Sequence, residues 1–260
     1  MNLIKKSIFI LKNYGIKAFI KKAIKFPINK INLLEQKKVE KKTKENPEEV
    51  IKILKSFSSD DIEEVFNFSC NFYNGLIKPI QIKEEFIELL KIFKDLNPKY
   101  ILEIGTANGG TLFCYSKLAN PDATIISIDL PEREFEGGYP EWKIPIYQAF
   151  AKEDQKLYLL RKESHQQETL EEVKKILNGN QLDFLFIDGD HSYEGVKKDF
   201  KMYSPLVRKG GIIAFHDIIN NDPTRLDIGV PKFWLEVKDR YLFKEIIIDK
   251  INYGIGILKI

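Results

Sequence analysis

The sequence predicts an α/β fold whose core is a doubly wound, mostly parallel sheet of seven strands, closed by a C-terminal β-hairpin and preceded by an N-terminal helical extension. Three observations predict it. From residue 100 onward, short apolar runs rich in Ile, Leu and Phe alternate with longer stretches of helical period. The first run, 100–104, passes directly into a glycine-rich turn, Gly105-Thr106-Ala107-Asn108-Gly109-Gly110. The polar residues of this region fall just after the runs, at the carboxyl ends where open parallel sheets bind their ligands.

Taken in order, residues 1–34 hold eight Lys and no Asp, Glu or Arg. Ile4, Ile8 and Leu11 share one face of a basic amphipathic helix over 2–25, which Pro27 ends. Such a helix either lies on an anionic membrane surface, with its Lys heads among lipid phosphates, or packs on the rest of the chain or on a second copy in a homo-oligomer. Residues 35–74 read as a charged linker with short helices, one of them opening at the capping sequence Ser58-Ser59-Asp60-Asp61. The sheet domain is expected over 75–260. Its first helix, 82–96, repeats Phe86, Leu89, Leu90 and Phe93 at helical spacing and stops at Asn97-Pro98. Strands follow at 100–104, 124–128, 157–160, 182–187 and 211–215, with helices at 111–117, 168–177 and 193–204. A helix over 230–241 opens with Pro231 in its first turn. Strands at 243–248 and 254–260 complete the sheet, joined by a turn at 250–253.

Composition narrows the partners. The net charge is +3, yet beyond residue 34 the chain has 33 basic against 38 acidic residues. A slightly acidic sheet domain argues against nucleic acid as its partner, because phosphate neutralisation needs a basic face. Two cysteines, Cys70 and Cys114, without Cys-x-x-Cys spacing suit a reduced, cytoplasmic protein. Cys114 lies between Phe113 and Tyr115 on a helix, the place of a buried small side chain. No run is long and apolar enough to span a membrane, and Lys12, Lys17, Lys21 and Lys22 interrupt any signal-peptide core. Membrane contact is therefore expected only as a peripheral one at the inner face, through residues 1–34.

The turn after 100–104 defines the expected ligand. Gly105 allows a sharp departure from the strand, while Gly109 and Gly110 let a ligand approach the backbone. The spacing Glu-x-Gly-x-x-x-Gly differs from a dinucleotide fingerprint and places Glu103 at the strand end. An acid there repels pyrophosphate but attracts the ammonium and sulfonium of S-adenosyl-L-methionine. Glu103, Gly105, Thr106, Asn108, Gly109 and Gly110 are thus the expected cofactor turn. Asp129, 24 positions after Gly105, suits the ribose hydroxyls, or caps a helix. Ser164 either meets the adenine or caps the helix beginning near Gln167. The fourth strand ends in Asp188-Gly189-Asp190-His191 and the fifth in His216-Asp217. So many titratable groups at adjacent strand ends are costly to desolvate unless they share a ligand, a proton or a metal. Residues 133–143 and 220–229 are expected to form substrate lids.

Residues 102–111, Asp129, Gly137-Gly138-Tyr139-Pro140-Glu141-Trp142, 188–196 and 210–217 together resemble class I S-adenosylmethionine-dependent methyltransferases. They look most like the family of macrolide-sugar O-methyltransferases and cephalosporin-hydroxylase-like proteins. The resemblance covers residues 75–260 and implies a Rossmann-like sheet and O-methylation of a hydroxyl on a sugar, glycoconjugate or related small molecule. It also implies Mg²⁺ or another divalent metal on Asp188 and Asp217, with Asp188 beside the cofactor and His191 as base. His216 stands where the family pattern has an acid. Either a softer metal binds Asp188, His216 and Asp217, or His216 is itself a catalytic base, or the site works without metal. Two further readings stay open: a metal-dependent oxidoreductase of the cephalosporin-hydroxylase kind, and a non-catalytic S-adenosylmethionine-binding module at a membrane.

Overall fold

The computed structural model describes residues 37–131, 137–222, 225 and 227–260. The basic helix expected over 2–25 lies outside the described residues. The chain divides into two units, Met1–Asn46 and Pro47–Ile260. Within the first, residues 37–45 are helical.

In the second unit, helices α1 (Pro47–Ser56), α2 (Ile62–Asn71) and α3 (Lys83–Leu96) precede the sheet. Asp61 caps α2 as its sequence suggests, its carboxylate accepting from the Glu64 amide at 2.9 Å. β1 (Tyr100–Ile104), α4 (Gly110–Leu118), β2 (Thr124–Asp129), a short α5 (Ile144–Gln148), β3 (Lys156–Arg161), α6 (Gln167–Leu177), β4 (Leu182–Ile187), α7 (Tyr193–Tyr203) and β5 (Val207–Asn220) follow. α8 (Val230–Val237), β6 (Leu242–Ile246) and β7 (Asn252–Lys259) end the chain.

The seven strands form one sheet in the order β3-β2-β1-β4-β5-β7-β6. The first five are parallel; β7 runs antiparallel to both β5 and β6. Neighbouring residues of one strand point to opposite faces, so both faces must be apolar when helices cover both. Ile101, Ile125, Phe184 and Ala214 belong to one core cluster, and Leu102, Ile126, Leu185 and Ile213 to the other. Val50 and Leu54 of α1, and Val65 and Phe66 of α2, lie in the first of these clusters. Residues 47–74 therefore help to build the core under the sheet.

Three elements differ from expectation. β5 runs to Asn220, because its pairing with β7 resumes at Ile219 beyond a bulge. α8 stops at Val237 and tightens into a 3₁₀ turn over Lys238–Arg240. In the terminal hairpin the later strand lies inside: β6 is exposed at four of its five positions and takes the edge, whereas β7 is buried from Gly254 to Leu258.

Candidate active site

A cavity of about 310 Å³ opens at the carboxyl ends of β1, β4 and β5, lined by the turn after β1 and by Gln81, Asp188, His191, His216 and Arg225 among others. At Gly105, φ is +96°, and a Cβ there would lie 2.1 Å from the carbonyl oxygen of Asp188. Only glycine lets the ends of β1 and β4 touch. A Cβ on Gly109 would strike the Tyr147 ring at 2.7 Å, and one on Gly110 the Pro79 nitrogen at 2.3 Å. The two glycines expected to make room for a ligand thus make room for the protein itself. Gly105, Thr106, Asn108 and Gly110 line the cavity.

Glu103 does not line the cavity. It is fully buried, accepting hydrogen bonds from Thr111 Oγ1 at 2.5 Å and Ser127 Oγ at 3.0 Å. Burial pushes its pKa up to about 8, against those two hydrogen bonds, so at neutral pH it is largely uncharged. Asp188, by contrast, is held ionised and lines the cavity. Asp129, expected at the ribose, uses Oδ2 to accept from the amides of Thr106 (2.9 Å) and Ala107 (2.7 Å) and Oδ1 to accept from Leu130 (2.8 Å). Its carboxylate closes the turn, and burial raises its pKa despite these amides. Ser164 neither caps a helix nor lines the cavity. α6 starts behind Gln166 without a side-chain cap, and Ser164 contributes its carbonyl to the Tyr203 hydroxyl at 2.6 Å, away from the cavity.

The strand-end acids and histidines do converge. Asp188 Oδ1 lies 3.0 Å from His216 Nδ1 and 3.2 Å from His191 Nε2, and Oδ2 accepts from Gln81 Nε2 at 2.7 Å. His191 Nε2 is also 3.5 Å from Asp217 Oδ2. Asp217 reaches this position because it takes φ +61° in the β5 bulge between His216 and Ile219. His191 is held from behind: Ser192 caps α7 through the Gly195 amide at 3.0 Å, Asp190 accepts from the Ser192 amide at 2.8 Å, and the His191 carbonyl accepts from the Gly229 amide at 2.7 Å. Burial alone would raise the pKa of Asp188, but the charges and hydrogen bonds of His216 and His191 hold it well below the usual carboxylate range. Burial would likewise lower both histidines, but Asp188, and then Asp217, outweigh it and raise them. The side chain of His191 is 40% exposed and that of His216 only 4%. Of the two imidazoles, that of His191 is therefore the accessible one.

The same geometry tests the expected metal. Donor atoms of Asp188, His191 and Asp217 lie within 4.8 Å of one another, a trio in which His191 replaces the expected His216. Each carboxylate oxygen is already engaged, however. Arg225 spans Asp217, with Nη1 to Oδ1 at 3.4 Å and Nη2 to Oδ2 at 3.2 Å, and its guanidinium lies over the Tyr253 ring. A divalent cation held by this trio would have to displace the Arg225 guanidinium from Asp217 and compete with His216 and Gln81 for Asp188. This donor set does not fit a resident metal ion.

Among the described residues the buried Oε1 of Gln81 has no hydrogen-bond partner, and Gln81 lines the cavity. An unpaired acceptor beside an ionised Asp188 suits the ammonium of an amino-acid moiety, which is the fit that S-adenosylmethionine requires. Neither Gln81 nor Arg225 is identifiable from the sequence as a site residue. Gln81 stands 107 positions from Asp188 with no motif around it, whereas Arg225 lies in the expected lid 220–229. The described part of the other lid, 137–143, does not line the cavity.

Residues 102–218, from β1 to the bulge of β5, match the family described as a methyltransferase domain. A probable caffeoyl-CoA O-methyltransferase 3 from Dictyostelium discoideum is 30% identical over 166 residues, 62% of this chain and 58% of that protein. An uncharacterised protein from Sinorhizobium fredii is 28% identical over 149 residues, 55% of this chain and 15% of its own length. The chain thus spans less than two thirds of these curated relatives. Among solved structures, a candidate caffeoyl-CoA O-methyltransferase from Staphylococcus aureus aligns with a TM-score of 0.51 at 21% identity, over 77% of this chain and 93% of that one.

Proposed function

We propose, from the premise that the chain carries a methyltransferase domain of the class I fold, that it transfers the methyl group of S-adenosylmethionine to a hydroxyl of a small-molecule acceptor. The observation that carries this reading is the half-buried His191, held by Asp188 and lining the cavity that the Gly105–Gly110 turn also lines. Bound S-adenosylmethionine supplies an activated methyl. The chain must then align acceptor and methyl and take up the proton of the acceptor hydroxyl. With Nε2–H directed at Asp188, His191 presents Nδ1 to that proton. Asp188 stabilises the imidazolium that results, and the raised pKa of His191 makes it a stronger base than a free imidazole. The buried His216 donates Nδ1–H to Asp188 and so positions the acid. No step passes through a metal. Gln81 and Asp188 hold the cationic end of the cofactor.

A sugar or glycoconjugate is the acceptor class that the family resemblance supports. The experiment is a methyl-transfer screen with labelled S-adenosylmethionine against sugars, glycoconjugates and catechols, with and without a chelator. Methylation of a sugar hydroxyl that survives the chelator supports the reading. Transfer to catechols alone, or transfer that the chelator abolishes, contradicts the acceptor class or the metal-free mechanism respectively.

A further inference from the structure

A second cavity, of about 580 Å³, lies at the C-terminal end of α4, between the end of α1, the loop after it and the segment at the end of α5. Lys55, Lys117 and Lys152 line it, with Phe57, Ser58 and Ser59 along one wall and Glu153 at an exposed position. Lys117 is the unusual member. It is 3% exposed, in the last turn of α4. Its ammonium has one long hydrogen bond, to the Leu54 carbonyl at 3.4 Å, and lies 5.5 Å from the centre of the Phe113 ring.

Capping of its own helix does not explain this lysine, whose one bond reaches a carbonyl in the last turn of α1. The carbonyls at the end of α4 are already satisfied, those of Ser116 and Asn120 by Gln155 Nε2 (2.9 and 3.0 Å) and that of Ala119 by Lys152 Nζ (3.0 Å). Nor does an ion pair: among the described residues, none of the three lysines is within salt-bridge distance of a carboxylate. A buried ammonium without a counter-charge is costly, and a second ammonium beside it adds repulsion. Both strains are visible, since burial, and then Lys152, lowers Lys117 to about 8, while burial lowers Lys152 as well. The cavity volume is that of a small-molecule site.

We infer that this cavity binds a soluble phosphomonoester, its phosphate seated between Lys117, Lys152 and Lys55 and its organic part against Phe57. Three flexible point charges suit a compact dianion, and the Ser58 hydroxyl is a further donor at the wall, Ser59 being engaged with Glu64. The inference is independent of the methyl-transfer reading, because this cavity shares no lining residue with the first.

The test is calorimetric titration of the full chain at pH 7 with inorganic phosphate, pyrophosphate and phosphatidic acid vesicles, alongside S-adenosylhomocysteine. Saturable binding of free phosphate or pyrophosphate is expected, weakened at least tenfold by Lys117→Met with S-adenosylhomocysteine affinity unchanged. The retained nucleoside affinity shows that the variant is folded. Should Lys117→Met fail to fold, Lys152→Met serves in its place, with at least a fivefold loss expected. No saturable binding to the wild type, equal binding by wild type and variant, or binding only to the vesicles overturns the assignment.

Discussion

Gly105→Ala tests the joint on which the whole site depends. Two costs add. At φ +96° a side chain is strained by about 1–2 kcal/mol. The new Cβ would also lie 2.1 Å from the Asp188 carbonyl oxygen and 2.6 Å from its carbonyl carbon, backbone atoms that cannot swing aside. Overlap of that kind costs about 1–3 kcal/mol more. A total of about 2–5 kcal/mol corresponds to a fall in Tm of about 4–20 °C for a domain of this size. Gly179→Ala is the internal control: φ is +85°, but nothing lies within 4 Å of its Cβ, so only the first cost applies. Differential scanning calorimetry of both variants separates strain from collision, and S-adenosylhomocysteine titration of Gly105→Ala reads whether moving Asp188 spoils the cofactor pocket. Stability and affinity for Gly105→Ala no worse than for Gly179→Ala would refute the reasoning.

His191→Ala is expected to lower turnover by about 10²–10⁴ while S-adenosylhomocysteine affinity stays within twofold; parallel loss of both would mark a structural residue. Arg225→Met should uncover Asp217, so that Mn²⁺ binding, read by its spin-resonance spectrum, appears in the variant and not in the wild type. For Glu103, the native state keeps a proton up to about 8 that the unfolded chain loses near 4.5. The native state therefore binds more protons in that window, and stability falls as pH rises through it, by up to about 1.4 kcal/mol per unit. Urea midpoints between pH 5 and 8 should show that slope in the wild type and a flatter one in Glu103→Gln. Deletion of residues 1–34 is expected to abolish co-sedimentation with anionic liposomes and leave S-adenosylhomocysteine binding intact.

What was legible in the sequence was local. Apolar runs such as 182–187 and the turn at Gly105 carry their own physics within a few residues, so the order of strands and helices could be read, and Asp188, His191, His216 and Asp217 could be placed at neighbouring strand ends. What was not legible depends on packing. Whether Glu103 is charged turns on the Thr111 and Ser127 hydroxyls that enclose it, and whether Gly109 spares room for a ligand or for Tyr147 turns on a helix 35 residues away. The two partners that complete the acid pair, Gln81 and Arg225, arrive from loops without periodicity or motif. A partner such as Gln81, 107 positions from Asp188, leaves no trace in either flank.

The inverted terminal hairpin has a consequence for synthesis. His216 pairs with Ile255, and the bulge that aims Asp217 is defined against β7. β6 is made first but has its hydrogen-bonding partner only in β7, which must slide between it and β5. A nascent chain on the ribosome can thus assemble the parallel half of the sheet early, yet it leaves the β5 edge bare and His216 and Asp217 unaligned until β7 emerges. The pairing that fixes His216 and Asp217 is therefore completed only after β7 is made, and a chain ended before β7 would expose an adhesive sheet edge at β5.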